Sequence, residues 1–312
     1  MSNTAEIRTY DAATAPRGAF RFVTSLLHYP QTVWDNRFLV HNFFRRELLG
    51  RFRGSLFGAF WVVAQPLFMF LVYYLVFGML IGNWKWGTAP DPNFAFYLFS
   101  GVIVFSALNE GTTGACASIV GNGNLVKKVR FPSEVLPVHI AAVSCVIFLV
   151  GALVFLLARL VCGMLDFAVP SVQPGASLLY LPLTTIVQFV MTLGIGLFLA
   201  NLYVFARDIR HLWQIFVTAW LFLSPVFWQP HMLANKFPGV AQTFFAVNPA
   251  YSLIMAQRIA LGATDATITS DQVVEFGDFW THIGRASLWA AFFLLIGYCT
   301  FMSRKHKYAD LV

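Results

Sequence analysis

Glu110 is the residue whose type and setting most invite chemistry. It lies beside Asn109 in a stretch apolar enough to cross a bilayer, where a charge costs about 2.5–3.5 kcal/mol on insertion scales. Such a carboxylate must face the bundle interior, carry a proton, or lie nearer a membrane surface. It could relay a proton, line a substrate path, or hold a neighbouring helix through a hydrogen bond. The histidines (His28, His41, His139, His211, His231, His282 and His306) are isolated from one another, and most fall near expected membrane boundaries. They read as interfacial rings rather than metal ligands. Cys116, Cys145, Cys162 and Cys299 form no Cys-x-x-Cys pair and read as small packing residues.

No Gly-x-x-x-x-Gly-Lys-Ser/Thr loop, His-Glu-x-x-His or Gly-x-Ser-x-Gly occurs. The chain therefore offers no obvious cradle for a nucleotide, and no cofactor or metal is expected on it. Two chemistries remain open beside transport driven by a separate protein. One is a membrane-embedded glycan or acyl transferase with Glu110 or His139 as base; the other is proton-coupled transport through Glu110.

The elements that must hold these residues follow from composition. Of 312 residues 58% are hydrophobic and 11% charged, against about 25% charged in soluble domains, which argues against a water-soluble fold. Six apolar segments stand out: Leu56 to Ile81, Phe94 to Gly114, Val135 to Leu160, Leu178 to Phe205, Trp213 to Trp228 and Ile283 to Met302. The expectation is an all-α polytopic membrane protein with six transmembrane helices over residues 56–303. A cytoplasmic tail, 1–36, and an amphipathic interface helix, 37–53, precede them, and a second tail, 304–312, follows. With both termini inside, 16 of the 21 basic residues fall on the cytoplasmic side, as the positive-inside rule requires. The net charge of +7 is then topological and points to no nucleic acid.

The fifth segment, at about 16 residues, covers roughly 24 Å of a hydrocarbon core about 30 Å thick. It meets Pro225 and Pro230, and the long stretch beyond it contains a second amphipathic piece from Asn248-Pro249 to Leu261, with Arg258 inside it. Short re-entrant outer helices are expected there, because irregular backbone at membrane depth needs protein or water to satisfy it. Between the second and third segments, Gly121 to Asn124 form a turn-prone run followed by Leu125, Lys127, Lys128, Arg130, Phe131 and Pro132. This is a short basic helix offered to a cytosolic partner, or lysines that only obey topology. In the turn before the fifth segment, Asp208 can pair with Arg207 or Arg210. Phe70, Tyr73, Tyr74 and Phe77 share one helical face, and Phe216, Trp220 and Phe227 lie roughly on another. Flat rings suit the C–H faces of sugars, so these stripes could line a glycan path, although aromatic belts at the interfaces account for many such rings.

Several ordered fragments resemble one family. Arg46-Glu47-Leu48 to Arg51-Phe52-Arg53-Gly54-Ser55-Leu56-Phe57-Gly58, then Trp61 and Gln65-Pro66, is similar to the lead-in to the first span of type-2 ABC exporter permeases that move polysaccharides. Asn124 to Val129 with Phe131-Pro132, Arg207 to Leu212 with Ser224-Pro225-Val226, and Asn248-Pro249 to Arg258 follow in the family's order. The resemblance covers residue 40 to the end and is closest to O-antigen permeases, with teichoic-acid and capsule permeases next. It implies a homodimer in the bacterial inner membrane, coupled to two copies of a nucleotide-binding ATPase subunit that holds ATP and Mg, with a lipid-linked glycan as cargo. It also implies contact with the ATPase through Arg45, Arg46, Glu47, Arg51, Asn124, Leu125, Lys127, Lys128, Arg130 and Phe131. Asn248, Pro249, Tyr251 and Arg258 would then form the outer gate. The tail before residue 37 is longer than the family leads one to expect and has no assigned role.

Overall fold

The computed structural model describes residues 20–51, 57–58, 60–73, 75–76, 92–128, 132–164, 175–263 and 278–312. Every regular element among them is helical. In chain order they are α1 (Phe20–Asp35), α2 (Arg37–Gly50), α3 (Phe60–Tyr73), α4 (Pro92–Gly121), α5 (Gly123–Lys128), α6 (Leu136–Met164), α7 (Leu181–Phe205), α8 (Ile209–Leu223), α9 (Pro230–Lys236), α10 (Pro238–Val247), α11 (Pro249–Leu261), α12 (Phe279–Arg304) and α13 (Tyr308–Leu311).

Prolines and caps set the boundaries. Pro182, Pro230, Pro238 and Pro249 stand in the first turns of α7, α9, α10 and α11, where the missing N–H has no intrahelical partner to lose. Asn248 caps α11 by accepting from the Ala250 and Tyr251 N–H groups, and Gly262 ends it at φ +66°, a conformation glycine adopts without penalty. Asp278 opens α12, accepting from Thr281 N at 2.9 Å and Thr281 Oγ1 at 2.6 Å. Those bonds hold its carboxyl below the usual carboxylate range.

Three segments, Ser133–Met164, Ala176–Phe205 and Phe279–Lys307, are long and apolar enough to cross a membrane. Lipid tails are as apolar as leucine, so such helices associate through close fit. The α7–α12 crossing shows how: a Cβ on Gly297 would strike the Gly194 carbonyl, and one on Gly194 would strike the backbone at Phe293 and Leu294. α4 is buried against α6 and α7, and Phe96, Phe99 and Phe155 form the aromatic centre of the main core. α8 has 15 residues, roughly 22 Å of helix, and ends at extended Ser224 before Pro225.

Residues 20–36, expected as part of a plain tail, are mostly helix and packed. α1 lies against α12, with the Tyr29 and Tyr298 rings 4.8 Å apart. Ser25 Oγ and the Tyr298 hydroxyl are 2.9 Å apart, and the Tyr29 hydroxyl donates to the Glu134 carbonyl at 2.9 Å. Burial, followed by the nearby Glu134 and Tyr298 groups, raises the Tyr29 phenol well above its ordinary pKa.

Candidate functional site

At one end of the bundle the loops that carry the basic residues meet. Arg46 lies over the Phe43 ring at 4.7 Å and donates to Asn122 Oδ1 at 2.9 Å, tying α2 to the α4–α5 turn. Arg45, Asn124 and Lys127 are exposed, while Leu125 is half-buried against the end core. The Lys128 side chain, Arg130 and Phe131 lie outside the described residues. Arg51 is exposed too, and its guanidinium pairs closely with the Glu110 carboxylate and stands 4.0 Å from Glu47. Glu110 thus lines a 480 Å³ cavity with Arg51, Trp61 and Gln65, answered by the cation at the C-cap of α2. His139, the other candidate base, is buried under the stacked Phe43 ring at 5.3 Å.

The C-terminus joins the same end. Lys305 Nζ lies 2.5 Å from the buried Glu134 carboxylate, and the Tyr308 hydroxyl donates to Asn201 Oδ1 at 3.0 Å. Arg207 donates to the Leu311 carbonyl at 3.3 Å and stands over Tyr203. Val312 rests against Gly123, where a Cβ would collide with it. Asp208 precedes α8 without a side-chain capping bond, and it forms no ion pair with Arg207 or Arg210 among the described residues.

The aromatic stripes divide. Phe70 packs at 5.0–5.3 Å on Phe99 and Phe96, so it fastens α3 to the core. The Tyr73 side chain, Tyr74 and Phe77 lie outside the described residues. Phe216 and Trp220 line an apolar groove of 810 Å³ between α7, α8, α10 and α12, while the Phe227 and Phe222 rings lie tilted to each other 5.6 Å apart. The opposite face of α8 carries His211, Gln214 and Thr218, all exposed, over a shallow 590 Å³ depression. That i, i+3, i+7 polar stripe on a mostly apolar helix is visible in the sequence by helical period.

At the other end, Asn248 does more than cap. Its Oδ1 accepts from Trp220 Nε1 at 2.9 Å, and its Nδ2 donates to Ser224 Oγ at 3.2 Å, so the α8 terminus and α11 share one polar node. Pro249 follows in the first turn, and Tyr251 stacks on Phe245 at 4.4 Å. Arg258 is 0% exposed. It donates to the carbonyls of Pro225 at 2.7 Å and of Tyr97 and Val226 at 3.2 Å each, and its guanidinium carbon lies 3.5 Å from the centre of the Tyr97 ring. A Cβ on Gly101 would collide with the guanidinium. No carboxylate pairs with it among the described residues; carbonyl dipoles and a π face answer the charge.

An all-helical bundle with three helices long and apolar enough to cross a membrane, preceded by α2 and with a short helix after α4, has the make-up of a multi-pass membrane protein. Residues 39–261 match the ABC-2 type transporter family, and the chain belongs to that family. Among curated proteins it is 25% identical over 233 residues to the O-antigen export system permease protein RfbA of Myxococcus xanthus, covering 75% of this chain and 84% of that protein. It is also 25% identical over 214 residues to an O-antigen export system permease protein RfbA of Klebsiella pneumoniae, covering 68% and 76%.

Proposed function

We propose that this chain is the permease subunit of an ATP-driven exporter that carries a lipid-linked, O-antigen-like polysaccharide across the bacterial inner membrane. The observation that carries this reading is the family match from α2 through α11, with O-antigen permeases aligned over most of their own length. In this reading α3, α4, α6, α7, α8 and α12 are the six spans, and α9 to α11 are re-entrant outer helices that gate the exit. The end where α2, α5 and the C-terminus meet faces the cytoplasm. Two copies of a separate ATPase supply ATP and Mg.

The Arg46–Asn122 bond supports coupling through α2 and the α4–α5 turn, because a push on exposed Lys127 reaches both elements together. The polar face of α8 supports a glycan path along His211, Gln214 and Thr218, facing a second copy. Sugar hydroxyls need donors and acceptors there, and an apolar lining offers none. The Arg51–Glu110 pair argues for a positioning role for that carboxylate rather than a free base.

Replacing Lys127 and Lys128 by Glu tests the coupling surface. Loss of ATPase co-purification and of surface polysaccharide, with normal membrane insertion, is the expected result; retention of both would refute it. Gln214→Leu and Thr218→Val test the path and should slow export without loss of assembly.

A further inference from the structure

The 810 Å³ groove between α7, α8, α10 and α12 lies on the face of α8 away from the polar stripe. Ile209, Leu212, Trp213, Phe216 and Trp220 line it from α8, and Val240 and Val247 from α10. Leu212, Phe216 and Val247 are 59%, 54% and 61% exposed, so these walls stand open. Running along α8, the groove has roughly 22 Å of helix behind it, longer than one leaflet's half of a core about 30 Å thick. It can therefore take a complete acyl chain.

The α7–α8 turn beside the groove is cationic. Exposed Arg207 and Arg210 flank the lining residue Ile209 in the chain, Arg207 also donating to the Leu311 carbonyl, and exposed Arg304 lies over the Phe205 ring at 5.3 Å; the groove's own lining carries no charged residue. Asp208 is the single acidic side chain in the same turn. An apolar trough with a net positive turn beside it has the shape and charge of an anionic phospholipid, its chain in the trough and its phosphate among the arginines.

We propose that this groove is a binding site for an anionic bilayer phospholipid, distinct from the cargo path on the opposite face of α8. The inference needs only that the protein is embedded in a bilayer; it does not rest on which polysaccharide is exported.

The test uses the full-length protein in phosphatidylcholine nanodiscs with a small admixture of phosphatidylglycerol or phosphatidylcholine bearing the same diazirine-labelled acyl chain. After illumination, peptides from α8 and α10 should carry more label from phosphatidylglycerol by about fivefold or more, because each basic residue at a membrane surface attracts anionic lipid. Arg207→Gln, Arg210→Gln and Arg304→Gln together should erase that preference while leaving labelling elsewhere unchanged. Val247→Trp, which fills the trough and keeps the arginines, should lower labelling from both lipids. Equal labelling by the two lipids, or a preference untouched by the glutamines, would overturn the site. So would displacement by polyprenyl phosphate more effective than by unlabelled phosphatidylglycerol, which would assign the groove to cargo. Intermolecular crosslinking of Leu212→Cys across the groove would assign it to a second copy and equally overturn the proposal.

Discussion

Arg258 offers the sharpest perturbation, since it is a buried cation whose oxygen acceptors are three backbone carbonyls, with the Met255 Sδ a longer contact at 3.9 Å. Two of its three acceptors keep another donor when it is removed: Ser100 Oγ donates to the Tyr97 carbonyl at 2.8 Å, and the Tyr97 hydroxyl reaches the Pro225 carbonyl at 3.3 Å. Only the Val226 carbonyl loses its described side-chain donor, at about 1–3 kcal/mol. The lost contact with the Tyr97 ring adds about 2 kcal/mol, and relief of burying a charge, worth several kcal/mol, offsets part of both. Arg258→Met, which keeps most of the volume, should therefore cost only about 1–3 kcal/mol, and Arg258→Ala, which also opens a cavity, about 2–5 kcal/mol. Lysine is the discriminating variant. It keeps the charge and its burial cost, yet one ammonium cannot span three carbonyls and lie flat on a ring, so Arg258→Lys should be no better than Met. Gly101→Ala pushes on the same guanidinium; it should destabilise the wild type and be largely silent beside Arg258→Met, a coupling that a double-mutant cycle reads directly. The assay is the heating midpoint of the detergent-solubilised protein by size-exclusion chromatography, at roughly 2–4 °C per kcal/mol. A wild-type midpoint for Arg258→Lys would refute the argument that planar carbonyl bonding, rather than charge, fixes this residue.

Glu134→Ala leaves Lys305 without its partner. A fully buried broken pair costs about 3–5 kcal/mol; with the Lys305 side chain 30% exposed, a loss of about 1–3 kcal/mol is expected, read as a lower midpoint and earlier proteolysis of the C-terminus. Asn248→Ala removes a helix cap, about 1 kcal/mol, and strands the Trp220 indole N–H, about 1–3 kcal/mol more; Asn248→Asp, which keeps all three acceptor bonds and loses only the Nδ2 bonds to Ser224 Oγ and the Leu223 carbonyl, should recover part of that midpoint. In alkali, burial holds the Tyr29 and Tyr308 phenols neutral in the fold, whereas in an unfolded chain they ionise near pH 10. Stability at this end should be flat below about pH 10 and fall above it, and Tyr29→Phe with Tyr308→Phe should flatten the fall in an alkaline melt.

The long helices were legible because α6, α7 and α12 are long and predominantly apolar, and for such segments length and composition suffice. α1 was harder: Leu26, Tyr29 and Val33 follow a helical spacing, but Pro30 interrupts it and arginines surround it, so it reads as tail until α12 supplies a face to pack on. The aromatic period on α8 was legible, but not the neighbour it faces. Phe216 and Trp220 look into the α7–α10–α12 groove, and the exposed polar stripe lies on the other side of the same helix. The resemblance puts Arg258 in an outer gate, but nothing in its spacing or neighbours in sequence marks it as a buried cation. Its acceptors are carbonyls, which every residue has and no pattern marks. The Glu134–Lys305 and Arg51–Glu110 pairs join residues far apart in the chain, which only the packing of α2, α4, α6 and α12 brings together.

The central claim is ATP-driven export, and the most direct measurement is translocation by the purified complex. The tagged chain, drawn from its native membrane with whatever ATPase accompanies it, is reconstituted in liposomes with a lipid-linked polysaccharide, and transfer of the glycan to the far side is followed with a membrane-impermeant lectin. The account predicts an ATPase co-purifying in equal amount, transfer that requires ATP and Mg, and loss of transfer in the Lys127 and Lys128 to Glu variant. Transfer or chemical modification of the glycan by this chain alone, without ATP, would contradict it.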